Sequence, residues 1–148
     1  MIKVIVAGGR DFNDYPLLCA KLDLYLSNLK GIQIISGNAK GADYLGEKYA
    51  IEHGHKLRLF PAPWGDIEDK PEREIGIGKD GRKYWKLAGP ARNRQMAEFS
   101  VGGYCVVFWD GKSTGSANMI EVAKEFKLPT KIVRYDQQLR TNQTVLGL

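Results

Sequence analysis

The sequence predicts an α/β fold: a doubly wound, mainly parallel five-stranded sheet with helices on both faces and a hairpin-like insertion. Two observations carry this expectation. Five short β-rich runs, at 3–7, 32–35, 57–60, 104–109 and 130–135, alternate with segments of helical period. Several runs are also continuously apolar, the pattern of strands covered on both faces in a parallel sheet.

Taken in order, the segment after the first run sets Leu18, Leu22, Tyr25, Leu26 and Leu29 on one helical face. Asp14 is its expected N-cap, Pro16 suits its first turn, and Gly31 is expected to end it. A second helix is expected over 42–53, with Leu45 and Tyr49 inward and Gly54 beyond its end. Pro90 opens a third, carrying Met96 and Phe99. A fourth follows Gly115 with Ile120, Ala123 and Phe126 inward, and Pro129 stops it. The alternation breaks between Phe60 and Pro90, where about thirty residues replace a connection of roughly two to six. There Ile75 and Ile77, an Asp80-Gly81 turn, then Tyr84 and Trp85 spell a small hairpin. The expected organisation is one domain over 1–136, with the insertion at about 65–87 and a polar tail over 137–148.

At 148 residues a chain buries roughly 70% of its unfolded surface, enough for a core without staples. Hydrophobic residues at 43% and charged residues at 26% exclude a disordered chain. No apolar run reaches the roughly 20 residues that span a bilayer, and residues 1–7 lack the form of a signal peptide, so a cytoplasmic protein with no membrane partner is expected. Cys19 and Cys105 read as buried free thiols. No Cys/His/Asp cluster has metal spacing and no Ser-His-Asp or Cys-His arrangement stands out, so neither metal nor cofactor is expected. His53 and His55 flank a helix-ending glycine and read as helix-terminus residues.

The formal charge is +5, and its distribution is lopsided. Residues 79–94 hold Lys79, Arg82, Lys83, Lys86, Arg92 and Arg94 against Asp80, which accounts for the whole excess.

In a doubly wound sheet, ligands bind beyond the carboxyl ends of the strands, where strand order reverses. Four segments there are glycine-rich. They are Gly8-Gly9-Arg10-Asp11-Phe12, the loop from Ser36-Gly37 through Gly41-Ala42-Asp43, Ala88-Gly89-Pro90-Ala91-Arg92-Asn93-Arg94, and the loop from Asp110-Gly111-Lys112-Ser113 to Gly115-Ser116. Each lets backbone approach a ligand, and most run into a helix N-terminus that favours an anion. Any one loop alone reads equally as a turn and a cap; four at one edge read as a phosphate cradle. Ser36, Ser113, Thr114 and Ser116 offer hydroxyls, and Arg10 and Arg92 offer planar forks. Arg92→Ala is accordingly expected to abolish binding of a phosphorylated ligand and to spare the fold. Asp43 and Asp110 are the candidate acids, and each reads equally as a helix-start or ribose-contacting residue. Trp64, Tyr84 and Trp85 either stack on a base or pack the insertion onto the body. Two apparent motifs fail. Gly76-Ile77-Gly78-Lys79-Asp80-Gly81 lies in the hairpin, away from any strand-to-helix turn. Gly111-Lys112-Ser113 would need its first P-loop glycine where Val106 stands.

These segments, with Pro61, Trp64, Met96, Phe108-Trp109 and Ile120, resemble the YspA-like, cpYpsA-related branch of the SLOG superfamily over roughly residues 2–135. The resemblance implies a Rossmann-like fold, a nucleotide or nucleotide-derived ligand, a bacterial or phage setting and relatives that often pair as homodimers. Those relatives include cytokinin-activating phosphoribohydrolases of the LOG type, DNA-processing proteins that bind single strands, and sensor domains. LOG-type enzymes are similar in having an Arg before the fourth strand, matched by Arg92 or Arg94, and a Gly-Gly-x-Gly-Thr-x-x-Glu run. Aligning Gly115-Ser116 with its Gly-Thr puts Met119 at the Glu, and a thioether transfers no proton. Three readings follow: binding or sensing of a nucleotide-like ligand, a nucleotide-processing hydrolase with an altered acid, and single-strand nucleic-acid binding along residues 79–94.

Overall fold

The computed structural model describes residues 1–136; the expected tail over 137–148 lies outside the described residues. In chain order the elements are β1 (Ile2–Gly8), α1 (Tyr15–Leu26), β2 (Ile32–Ser36), α2 (Ala42–Glu52), β3 (Lys56–Leu59), a 3-10 turn (Glu72–Glu74), β4 (Ile75–Ile77), β5 (Lys83–Trp85), α3 (Ala88–Phe99), β6 (Tyr104–Trp109), α4 (Thr114–Glu125) and β7 (Thr130–Arg134). Five strands form one all-parallel sheet in the order β3-β2-β1-β6-β7, and β4 and β5 pair antiparallel in a separate ribbon.

Strand periodicity divides the core into two layers. Val4 and Val6 of β1 join a cluster with Leu18 and Leu22 of α1 and Tyr49 and Ala50 of α2. Ile5 and Ala7 face the other way, toward Met96 and Ala97 of α3 and Met119, Val122 and Ala123 of α4. Leu18, Leu22, Ile5 and Phe108 are fully buried, each contributing roughly 1.5–3 kcal/mol of hydrophobic stabilisation. Central strands covered this way need apolar residues at both parities, which is why β1 and β6 read as unbroken runs.

Asp14 caps α1 by accepting from the Leu17 amide at 3.1 Å. The helix ends at Leu26, short of the expected Leu29. Ser27 follows, its hydroxyl donating back to Leu24 O at 3.1 Å, a local bond that competes with helix continuation. Leu29 still packs on the core from the ensuing turn. Pro90 sits inside the first turn of α3, which starts at Ala88, where a missing N–H leaves no helix bond unmade. The expected hairpin is present, its loop closed by Gly78 N donating to Arg82 O at 2.8 Å with Gly81 at φ +80°. Trp85 N donates to Trp64 O at 2.8 Å, joining the ribbon to the segment after β3. Among the described residues no helix is long and apolar enough to cross a membrane.

Candidate functional site

Beyond the carboxyl ends of β1 and β6, where the winding reverses, the chain leaves an open cleft of about 600 Å³. Gly8, Gly9, Arg10, Asp43, Arg92, Asn93, Asp110, Ser113, Gly115 and Ser116 all border it. Ser36, Gly37, Gly41, Gly111 and Lys112 do not, and each has another place.

Gly41, at φ +79°, opens α2 with its Cα pressed against the Gly9 carbonyl and the Arg10 backbone, and Ala42 N donates to Gly9 O at 3.1 Å. Any Cβ there would collide with that backbone, so the glycine locks the loop after β2 onto the loop after β1. Ser36 is fully buried beneath this junction. Its hydroxyl is within 2.7 Å of Glu47 Oε2 and 3.3 Å of Asp43 O, and it accepts from Asn38 N at 3.0 Å. It is therefore a structural hydroxyl placed behind the cleft. Burial raises the Glu47 carboxyl above its ordinary range, opposed by the Ser36 bond.

Arg92 lies one turn into α3 and is 8% exposed. Its Nη1 donates to Gly37 O and to Phe60 O (3.4 Å), and its Nε to Asn93 Oδ1 at 3.0 Å. The guanidinium thus holds the exits of β2 and β3 against α3, and among the described residues Nη2 has no acceptor. Burial lowers its pKa while Asp43 opposes the shift; an arginine keeps its proton in such a setting. Asp43, 5% exposed, accepts from Ala39 N through Oδ2 at 3.2 Å. Burial pushes its carboxyl up to about 6, against Arg92 and the Ala39 amide and with help from Glu47.

On the other side Asp110 Oδ1 accepts from the amides of Lys112 and Ser113, both at 2.8 Å. Those bonds hold its carboxylate below the ordinary range. Lys112 takes part only through that amide and its side chain is exposed. Gly111, at φ +82°, packs under the Arg134 guanidinium, which also stacks over Trp109 and pairs with Asp136. Ser113 caps α4 by accepting from Ser116 N at 3.5 Å. The Thr114 and Gly115 amides, in the first turn, have no acceptor among the described residues. Asn93 Nδ2 donates to Asn118 Oδ1 at 2.9 Å and Gly115 O at 3.4 Å, fastening α3 to α4.

The aromatic alternatives separate cleanly. Trp64 borders the cleft, with Gly89 beneath it and the Arg10 guanidinium 5.9 Å from its ring centroid. Tyr84 backs it edge-on at 6.1 Å. Trp85 is engaged by Glu74 through Nε1 at 3.0 Å and by Lys70 over its ring. Sequence reasoning missed Asn118 and Lys86 at the cleft. Asn118 carries no loop signal because it reaches the cleft from mid-helix, and Lys86 arrives only through the return path of the insertion. Met96 and Met119 form the floor.

Sheet order and cleft position define the class: a Rossmann-like α/β protein with its pocket at the topological reversal. Residues 2–66, from β1 through Trp64, match the model of YAcAr, the YspA, cpYpsA-related SLOG family. Over that stretch the chain is similar to the YspA, cpYpsA-related SLOG family, a likeness that points to nucleotide-related binding or processing. No curated protein and no solved structure matches the chain.

Proposed function

We propose that the cleft binds a nucleotide or a nucleotide-derived phosphorylated ligand, as a binding or sensing site. The observation that carries this reading is the open cleft at the reversal point, bordered by the cations Arg10, Lys86 and Arg92 and by the first turn of α4. The unpaired Thr114 and Gly115 amides at the start of α4 favour an anion through the helix macrodipole. Arg10 adds an exposed cation and Trp64 an aromatic wall for a base. The volume of about 600 Å³ falls within the range of small-molecule sites. Hydrolysis by the LOG mechanism draws no support, because Met119 lies in the floor and offers no proton.

Titration calorimetry of nucleoside mono-, di- and triphosphates against the wild type and Arg10→Ala tests this. Arg10 is exposed and makes no hydrogen bond among the described residues, so its truncation leaves the fold alone. Saturable one-site binding is expected, weakened about 5- to 30-fold by the substitution. A panel in which nothing binds overturns the reading.

A further inference from the structure

We propose that Asp43 and Arg92 form a subsite for a vicinal sugar diol, so that the ligand is a ribose phosphate derivative selected over its deoxy counterparts. This rests on the phosphate-binding reading above and goes beyond it by naming the sugar.

Asp43 Oδ1 and Arg92 Nη2 are the two atoms of the buried cleft wall that no described residue satisfies. Among the described residues Ser100 Oγ is the one side-chain polar atom that is both sealed and unpaired. Asp43 Oδ1 and Arg92 Nη2 therefore reach open space, and the space both residues border is the cleft. Each belongs to a side chain more than nine-tenths buried, where an unmatched polar group is costly. The two are also neighbours. A Cβ built on Gly37 would run into the Arg92 guanidinium and lie 2.7 Å from Asp43 Oδ2, so both flank one point. They present an acceptor beside a donor. A vicinal diol complements that pair, one hydroxyl donating to the carboxylate while its neighbour accepts from the guanidinium.

Charge favours the same division. Arg10, Lys86 and Arg92 border the cleft together with Asp11, Asp43 and Asp110, so it is balanced in sign. Asp11 accepts from Tyr135 Oη at 2.8 Å and Asp110 from two amides, and neither is as buried as Asp43. A buried carboxylate repels phosphate and attracts O–H donors. The sheet order sets Asp43 and Arg92 beyond β2, with β1 between them and the α4 N-terminus beyond β6, about 10 Å at ~4.8 Å per strand. A phosphate on α4 leaves its sugar to fall toward Asp43 and Arg92.

The test is calorimetric titration with the ribonucleoside 5′-monophosphates, their 2′-deoxy and 3′-deoxy forms, ribose 5-phosphate and inorganic phosphate. Ribo forms are expected to bind at least about tenfold tighter than either deoxy form, since each deoxy form leaves a buried polar atom unmatched. Ribose 5-phosphate is expected to bind more tightly than inorganic phosphate. In Asp43→Asn the discrimination is expected to shrink to about threefold, because a neutral acceptor makes the weaker bond. If that variant does not fold, the wild-type series alone decides. Equal binding of ribo and deoxy forms, as a base-edge contact would give, overturns this subsite and leaves the phosphate reading standing. Failure of every phosphate probe overturns both.

Discussion

Arg92 is a structural tie as well as a cation on the cleft. Removing its side chain strips donors from the Gly37 and Phe60 carbonyls and frees Asn93 Oδ1. Arg92→Ala is therefore expected to destabilise the protein by about 2–4 kcal/mol, measurable as a fall in the chemical denaturation midpoint. The sequence-based expectation that this substitution spares the fold does not survive these contacts. Asp43 has the opposite stability signature. Burial pushes its carboxyl up to about 6 in the fold, above the ordinary aspartate value of about 3.9, so between those values the folded state binds more protons than the unfolded chain. Its contribution to stability falls as pH rises through that window, and above it the ionised buried group costs about 2–3 kcal/mol. Asp43→Asn is accordingly expected to raise the ligand-free melting temperature at pH 7.5 and to bring no gain near pH 4. A melting point lowered at pH 7.5 would contradict the burial-driven shift. The groups facing Asp43 are Arg92 from α3, Glu47 from its own helix and Arg10 from the loop after β1.

At the scale of elements, the insertion is attached without belonging to the core. Neither hydrophobic cluster contains a residue between Phe60 and Ala88. Apart from the turn and helix-start bonds at its two ends, from Asp66 N to Pro63 O and from Ala91 N to Leu87 O, its hydrogen bonds and ring contacts with the flanking chain among the described residues run to Trp64, from the Trp85 amide and the Tyr84 ring. Replacing residues 66–86 with a short Gly/Ser linker is expected to leave the melting temperature within a few degrees and to weaken nucleotide binding, since Lys86 and the backing of Trp64 go with it. A large loss of thermal stability would show instead that the ribbon supports the sheet.

At the scale of the molecule, the excess positive charge that is contiguous in sequence is dispersed in space. Arg92 is buried, Arg94 pairs with Glu125 at 2.8 Å, Lys86 faces the cleft, and Lys79, Arg82 and Lys83 ride on the ribbon. With Arg92 buried and Arg94 engaged by Glu125, affinity for a nucleotide is expected to fall with a shallow log–log salt slope, near that of one or two phosphates. A steep slope in titrations from 50 to 200 mM salt would favour an extended nucleic acid. The same dispersal shows what was legible in advance. Continuous apolar runs revealed the parallel sheet, and glycines after strands revealed the edge at which the cleft lies, because both signals are local. The burial of Ser36, the tie from Arg92 to Gly37 and the Asn93–Asn118 bond were not legible. They join segments as far as 55 residues apart, and such pairs leave no periodicity in one sequence.

The floor of the cleft also limits which side chains it could carry. Met119, at the position where the resemblance to LOG-type enzymes would put a Glu, is 1% exposed and packs in the layer with Ile5, Val107 and Ala123. A carboxylate set there would lose its water and gain no partner from that apolar layer. Met119→Glu is therefore expected to lower the melting temperature and, on its own, to supply no usable acid.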